Sequence, residues 1–253
     1  MTRTPQDPRS AAMFDGAPME TDAPLVYPFT GALPGGTPEM GKPFEVADGI
    51  FWLRTPLPFA LNHINLWLLE DGDGWTVLDT GYRSIEVEAY WQNVFSGLFG
   101  GKPIRRVIVT HYHPDHVGQA GRLVRRFDAP LWMTRTEFLY CRMLALDTWE
   151  EPPPEAVRFF HEAGVPDDKI GLYRRRSGSA FRQGVHPLPI TIHRMRDGET
   201  FDIGGSGWRV VVGRGHAPEH ACLYSEERKL LLSGDQVLPR ISSNVSVHPT
   251  EPE

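Results

Sequence analysis

The densest chemistry in this chain is Thr110-His111-Tyr112-His113-Pro114-Asp115-His116-Val117-Gly118, where three histidines and one aspartate fall within six residues. His111 and His113 are two apart, so in extended backbone their side chains leave on the same side. Neutral imidazole is the commonest protein ligand for zinc and similar divalent ions. Asp115 and His116 add one hard oxygen and one more nitrogen. An open tetrahedral site takes three protein ligands and a water. This cluster has too many donors for one such ion, and two metals sharing it fit the count better. The bland alternative is a polar loop with Asp115 as a helix N-cap. It leaves four closely spaced metal-ligand side chains without a use.

The elements that must position this cluster are also legible. Ile104 to Val109 carries four β-branched residues around Arg105-Arg106 and reads as a buried strand. Gly118 to Phe127 reads as a helix. The cluster therefore lies on the loop at the C-terminal end of a strand, where α/β proteins build sites. Phe44 to Leu53 and His63 to Leu69 read as the first strands. Asp71-Gly72-Asp73-Gly74 reads as a hairpin turn, and Trp75 to Leu78 as the strand that ends at Asp79. Ser84 to Phe99 reads as an amphipathic helix with Ser84 as N-cap and Glu86 and Glu88 suiting its dipole. Ala129 to Met133, Ile190 to Met195, Glu199 to Ile203 and Gly207 to Val212 read as further strands. His216 follows the last of these. Ala221 to Tyr224 and Leu230 to Leu232 then form a hairpin that leads to Asp235. Asp79, the histidine cluster, His216 and Asp235 all stand at strand ends, where two sheets would bring them together.

His-Tyr-His-Pro-Asp-His resembles the H-x-H-x-D-H motif of the metallo-β-lactamase-fold hydrolases. Leu78-Asp79-Thr80-Gly81 resembles the first motif of that family. Gly215-His216-Ala217-Pro218-Glu219-His220 resembles its G-H-[ST]-P-G-H motif, and Ser233-Gly234-Asp235 its S-G-D motif. The resemblance runs from about Val46 to the C-terminus, within the glyoxalase II and lactonase-like branch. It implies an α/β fold, an αββα sandwich of two mixed sheets flanked by helices. It implies a first metal on His111, His113 and His216, and a second on Asp115 and His116, with Asp235 bridging. Asp79 would support the ligand loop from behind. Glu219 replaces the usual glycine of the third motif, and a carboxylate there is expected to accept from a His216 imidazole N–H. Zinc is the expected metal, two ions for a complete site, with iron or manganese also compatible.

The family also implies a further histidine about forty residues beyond the bridging aspartate. Here the sequence ends eighteen residues after Asp235. His248 has no recognisable strand or glycine motif before it and is not expected to fill that role. The fold is accordingly expected to be incomplete at its C-terminal end, with an exposed sheet edge there.

Length and composition set the frame. At 253 residues one domain with insertions is the natural expectation. Residues 1–43, rich in Pro, Gly, Asp and Thr, read as an extended arm, and residues 44–253 as the domain. Within it, about 134–187 reads as a helical insert covering the site, with helices over Thr136 to Leu146, Pro154 to Ala163 and Asp167 to Arg176. Arg174-Arg175-Arg176 is either a solvated helix face or a docking point for a carboxylate or phosphate. A net charge of −6 argues against nucleic acid as a partner. No stretch is apolar enough for a membrane span, and with no signal-like segment a cytoplasmic location is expected. Cys141 and Cys222 give no disulfide framework and read as buried small hydrophobes. The expected partner is a small-molecule substrate, with a homodimer compatible.

The expected chemistry is metal-assisted hydrolysis of an ester, thioester, lactone or related acyl bond. Zinc-bound hydroxide is the nucleophile and Asp115 shuttles a proton. The same motifs leave open a mononuclear iron persulfide dioxygenase, or a metal-binding protein with impaired catalysis.

Overall fold

The structure, a computed structural model, describes residues 26–27, 31–32, 37–147, 149–175, 180–238, 241–246 and 248–250. Most of the expected N-terminal arm, and Arg176, lie outside them. In the arm, strands β1 (Val26–Tyr27) and β2 (Gly31–Ala32) pair antiparallel with each other.

The main sheet has seven strands in sequence order: β3 (Phe44–Ala47), β4 (Ile50–Pro56), β5 (His63–Asp71), β6 (Gly74–Leu78), β7 (Ile104–Ile108), β8 (Leu131–Thr134) and β9 (His193–Met195). The first four strands are antiparallel and β6 to β9 run parallel. The expected single strand over 44–53 is corrected to a hairpin. Asp48-Gly49 breaks it, with Gly49 at φ +68°, a left-handed turn conformation that glycine adopts without cost. A second sheet of four antiparallel strands runs β10 (Thr200–Ile203), β11 (Ser206–Gly213), β12 (His220–Ser225) and β13 (Leu230–Leu232).

The sheets meet face to face. Ile50, Leu69, Leu78, Ile108 and Met195 of the large sheet pack against Ile203, Trp208, Val210, Ala221, Leu223 and Leu232 of the small one. The other face of the large sheet is covered by helices. The first, α1 (Ile85–Ser96), is capped by Ser84, whose side chain accepts from the Val87 amide, and it buries Val87, Trp91, Val94 and Phe95. This i, i+4, i+7, i+8 stripe is an amphipathic helix facing a core, and each such side chain contributes about 1.5–3 kcal/mol by burial. Trp91 Nε1 also donates to Thr80 O at 2.8 Å, which ties the helix to the loop after β6. β6 is buried at every position, as a strand covered on both faces must be.

The helix expected over 118–127 is α3 (Ala120–Phe127), and a short helix that was not expected, α2 (Pro114–Val117), precedes it within the ligand loop. His113, not Asp115, occupies the N-cap of α2. Gly118 lies between the two because a Cβ there would stand 2.4 Å from Pro114 O, 2.5 Å from Gly81 O and 2.7 Å from Arg83 N. These are backbone atoms and cannot swing aside. Gly118→Ala is therefore expected to cost about 2–3 kcal/mol in urea unfolding, as overpacked sites do.

The insert carries α4 (Arg135–Leu146), α5 (Pro154–Glu162), α6 (Asp167–Tyr173) and α7 (Ala180–Gln183). Among the described residues no helix is long and apolar enough to cross a membrane. Cys141 and Cys222 are both buried and free. Burial, with Glu137 adding, pushes the Cys141 thiol up to about 12; burial and then Asp79 push Cys222 up to about 11. Thiolates are the reactive form, so a maleimide is expected to label neither cysteine until denaturant is added.

Candidate metal centre

Three loops at strand ends converge between the sheets. The first follows β7 and carries His111, His113, Asp115 and His116. The second follows β11 and carries His216. The third follows β13 and carries Asp235. A cross-sheet bond fixes the first against the small sheet: the Ala221 amide donates to Thr110 O at 2.9 Å.

His111 Nε2 lies 2.8 Å from His113 Nδ1 and 3.1 Å from His216 Nε2, and His113 Nδ1 lies 3.1 Å from His216 Nε2. Two donors about 2.05 Å from a tetrahedral zinc stand about 3.3 Å apart, so this triangle has the size of one metal's ligand face. Burial, and then the neighbouring imidazoles, hold His111 and His113 well below the ordinary histidine pKa. Both are neutral, with lone pairs available. The outer nitrogens hold the right tautomers. His216 Nδ1 donates to Asn244 O at 2.8 Å. His111 Nδ1 lies 2.9 Å from Thr110 Oγ1, whose own proton goes to Asp79.

The second group is His116, Asp115 and Asp235. His116 is 1 % exposed, and its Nε2 is buried with no hydrogen-bond partner. That nitrogen lies 3.3 Å from Asp235 Oδ2, without hydrogen-bond direction, and 3.9 Å from Asp115 Oδ2. A buried unpaired nitrogen facing two carboxylates is costly, and a cation between them removes the cost. Asp235 Oδ2 is also 3.5 Å from His216 Nε2, so one oxygen reaches both donor groups. Burial alone would lower His116, but Asp235, Asp79 and Asp115 outweigh it and hold its pKa well above the usual value. Burial opposes ionising Asp235, yet His116 and then His216 more than offset it and hold the carboxyl far below the carboxylate range. For Asp115 burial wins, and its pKa is raised. The donor atoms form two groups, each of which could hold a metal ion: His111, His113 and His216, and His111, His116 and Asp235. Asp115 stands beside the second group, its Oδ2 3.9 Å from His116 Nε2. His248 biases His113 electrostatically but joins neither donor group.

Asp79 stands behind the ligands. It is 1 % exposed and accepts from the Thr110 amide at 2.8 Å, Thr110 Oγ1 at 2.9 Å and His116 Nδ1 at 2.8 Å. Its backbone is left-handed at φ +60°, uncommon outside glycine but tolerated by Asp and Asn. His116 Nδ1 thus donates its proton to Asp79, and Nε2 is the nitrogen left to face Asp235 and Asp115.

The expected role of Glu219 is corrected. Its Oε2 accepts from the Thr136 amide at 3.0 Å, at the start of α4, while His216 turns its Nδ1 to Asn244. A backbone amide in a helix first turn is a well-placed donor, and it takes the carboxylate away from the imidazole. Burial pushes the Glu219 carboxyl up, but the Thr136 amide, Arg194 and Arg214 together bring it below its usual value.

Two supporting residues were not among the expected site residues: Glu137, which no motif contains, and His220, which the third motif does. Glu137 is fully buried. Its Oε2 accepts from the Tyr112 amide at 2.9 Å and its Oε1 from the Glu219 amide at 2.6 Å. One carboxylate thereby joins the His111–His116 loop to the His216 loop. His220, the last residue of the third motif, accepts the Asp235 amide on Nε2 at 3.1 Å and stacks on His111 with ring centres 4.7 Å apart. Burial, opposed by Asp79, holds its pKa down at about 4, so it remains the neutral acceptor that this bond needs. Gly234 at φ +50° is obligatory beside it, since a Cβ there would lie 2.7 Å from the His220 ring. The insert packs on the ligand loop: Tyr112 stands edge-on against Tyr140 at 4.5 Å and tilts against Phe181 at 6.4 Å.

The family model described as the metallo-beta-lactamase superfamily matches residues 61–252. The chain belongs to the metallo-β-lactamase superfamily. A crystal structure of a beta-lactamase domain protein from Burkholderia ambifaria is 41 % identical with a TM-score of 0.73, covering 88 % of this chain and 65 % of that one. A probable metallo-hydrolase of Bacillus subtilis, YqjP, is 29 % identical over 78 % of this chain and 60 % of its own length. The human acyl-coenzyme A thioesterase MBLAC2 is 27 % identical over 76 % of this chain and 65 % of its own. The chain thus spans about 60–65 % of the length of these relatives.

Proposed function

We propose that the chain carries the dinuclear centre of a hydrolase that cleaves an activated acyl bond, with a thioester as the substrate class. The observation that carries the reading is the convergence of three imidazole nitrogens within 3.1 Å beside the unpartnered His116 Nε2. The thioester class follows the human relative named as an acyl-coenzyme A thioesterase.

Bound zinc would supply Lewis acidity towards the acyl carbonyl and lower the pKa of a water from ~15.7 towards about 7. The rest is the work of side chains. His111 and His216 present lone pairs because Thr110 and Asn244 engage their outer nitrogens, and His113 turns its Nδ1 to the same point. His116 does so because Asp79 engages its Nδ1. Asp235 sits between the two donor groups. Asp115, largely buried and with its pKa raised, is suited to take a proton from the attacking water and return it to the leaving thiol. The Tyr112, Tyr140 and Phe181 rings exclude water from the insert side.

The test is elemental analysis of protein purified without added metal, with turnover of a short acyl thioester before and after chelation. Two zinc ions per chain and hydrolysis that is lost with chelator and restored by zinc are expected. One ion and no turnover would overturn the catalytic reading in favour of a metal-binding protein. Iron with thiol-dependent oxygen uptake would move it to dioxygenase chemistry.

A further inference from the structure

Behind the His216 loop, where the end of β8, strand β9 and the end of β11 meet, lies a second cavity of about 560 Å³, lined by Thr134, Arg194, Arg196, Asp197, Arg214 and Glu219 among others. Small-molecule sites fall in this size range. Its charge balance is unusual for an acidic chain. The side chains of Arg194, Arg196 and Arg214 have no hydrogen bond or ion pair among the described residues, and the Arg194 Nε is buried without a partner. Arg106, on the neighbouring strand β7, shows the usual outcome, with Asp71 at 3.1 Å.

The two carboxylates on the wall do not answer these cations by hydrogen bonds. Glu219 gives its Oε2 to the Thr136 amide, and Asp197 gives its Oδ1 to the Val212 amide at 2.9 Å. Arg194 and Arg214 act on the Glu219 carboxylate through space only, and three guanidiniums against two carboxylates leave an excess of one positive charge, with Arg194 Nε the buried unused donor and Arg196 and Arg214 at the exposed rim. Guanidinium forks match phosphate and carboxylate oxygens in geometry as well as charge. An unpaired buried donor costs free energy until an acceptor arrives.

We infer that this cavity is an anion site that holds a phosphate or carboxylate group, carried by the substrate at an end remote from the bond that is cleaved. The substrate half of the inference rests on the acyl-hydrolase reading; the anion half does not. Arg214 and Glu219 stand two and three residues either side of His216, so a group anchored here is held next to a metal-bearing loop. Thr134 Oγ1, which donates to Glu219 O at 3.0 Å, joins the cavity wall to the same loop.

The experiment uses the zinc-loaded protein and inorganic phosphate as the probe. Calorimetric titration compares wild type with the Arg194→Gln/Arg214→Gln double variant. Arg158→Gln, an arginine of the insert outside this cavity, is the control for net charge. Phosphate also binds zinc, so the readout is the difference between proteins with equal metal content. Loss of phosphate affinity by about tenfold in the double variant and none in the control is expected, the scale of a charged hydrogen bond. Equal affinity in all three would overturn the anion site. The second arm compares KM for an acyl thioester ending in a phosphate with KM for a neutral one. A rise of about tenfold for the phosphorylated ester alone is expected. Weaker phosphate binding with an unchanged KM would overturn the substrate assignment and leave a site for a free anion. Absence of all thioester turnover would sink the hydrolase reading, while the titration would still decide the anion site.

Discussion

Asp79→Asn is expected to leave the fold standing, remove the second metal and lower turnover by about 10³. Asn keeps the left-handed backbone that Asp79 adopts at φ +60°, so no strain is added. Its Oδ1 can still accept from the Thr110 amide. The amide NH₂, however, replaces the oxygen that faces His116 Nδ1 at 2.8 Å. Two donors cannot face each other, so His116 moves its proton to Nε2. That nitrogen is the one turned towards Asp235 and Asp115, and once protonated it has no lone pair for a metal. Loss of an orienting partner behind a ligand costs roughly 10–100-fold, and holding an imidazole in the wrong tautomer costs more, up to about 10⁴ in a known catalytic triad. Elemental analysis, turnover and a thermal melt read the three effects separately. Two metals and full turnover in a folded Asp79→Asn protein would show that Asp79 does not set the tautomer.

Glu137→Ala is expected to have the largest effect on stability, about 3–5 kcal/mol in the metal-free protein, and to weaken zinc binding by about 10–100-fold. The buried amides of Tyr112 and Glu219 both lose their acceptor, and each orphaned amide costs about 1–3 kcal/mol. The vacated volume adds a cavity term. The functional effect follows from connectivity. His111 and His113 lie on the loop held by one Glu137 oxygen, and His216 on the loop held by the other. Without the shared carboxylate, the 2.8–3.1 Å triangle of nitrogens is no longer set before the metal arrives, and binding must supply that ordering. Glu219→Gln is the informative contrast. Glu219 makes one bond to a helix N-terminal amide, and its loss is worth about 0.5–1 kcal/mol, with zinc affinity unchanged. Urea unfolding of the apo-proteins and competition for zinc against a chelating indicator test both variants. Wild-type zinc affinity in Glu137→Ala would refute the clamp.

The donors were legible because their chemistry is local. Three imidazoles and a carboxylate in six residues, and Asp79, His216 and Asp235 after apolar β-rich runs, can be recognised without knowing where the chain goes. The β-branched residues Ile104, Val107, Ile108 and Val109 and the stripe Val87, Trp91, Val94 and Phe95 likewise declare a strand and an amphipathic helix through local pattern alone. Local reasoning failed where a few residues turn the chain. Asp48-Gly49 folds the expected first strand into a hairpin, and the ligand loop itself turns into a short helix at Pro114–Val117, ahead of the expected one.

What only the tertiary structure decided is which partner each polar atom takes. Glu219 and Glu137 lie near the same loop and differ little as sequence. Position in the fold gives Glu219 a helix amide and Glu137 two loop amides from segments far apart in the chain. The acceptors behind His216 and Asp235, Asn244 O and His220 Nε2, likewise come from other elements, as do the three arginines gathered around one cavity. Side-chain type sets what a residue can bind, and that is written in the sequence. A hydrogen bond is decided within a few tenths of an ångström, and that precision exists only once the two sheets have packed.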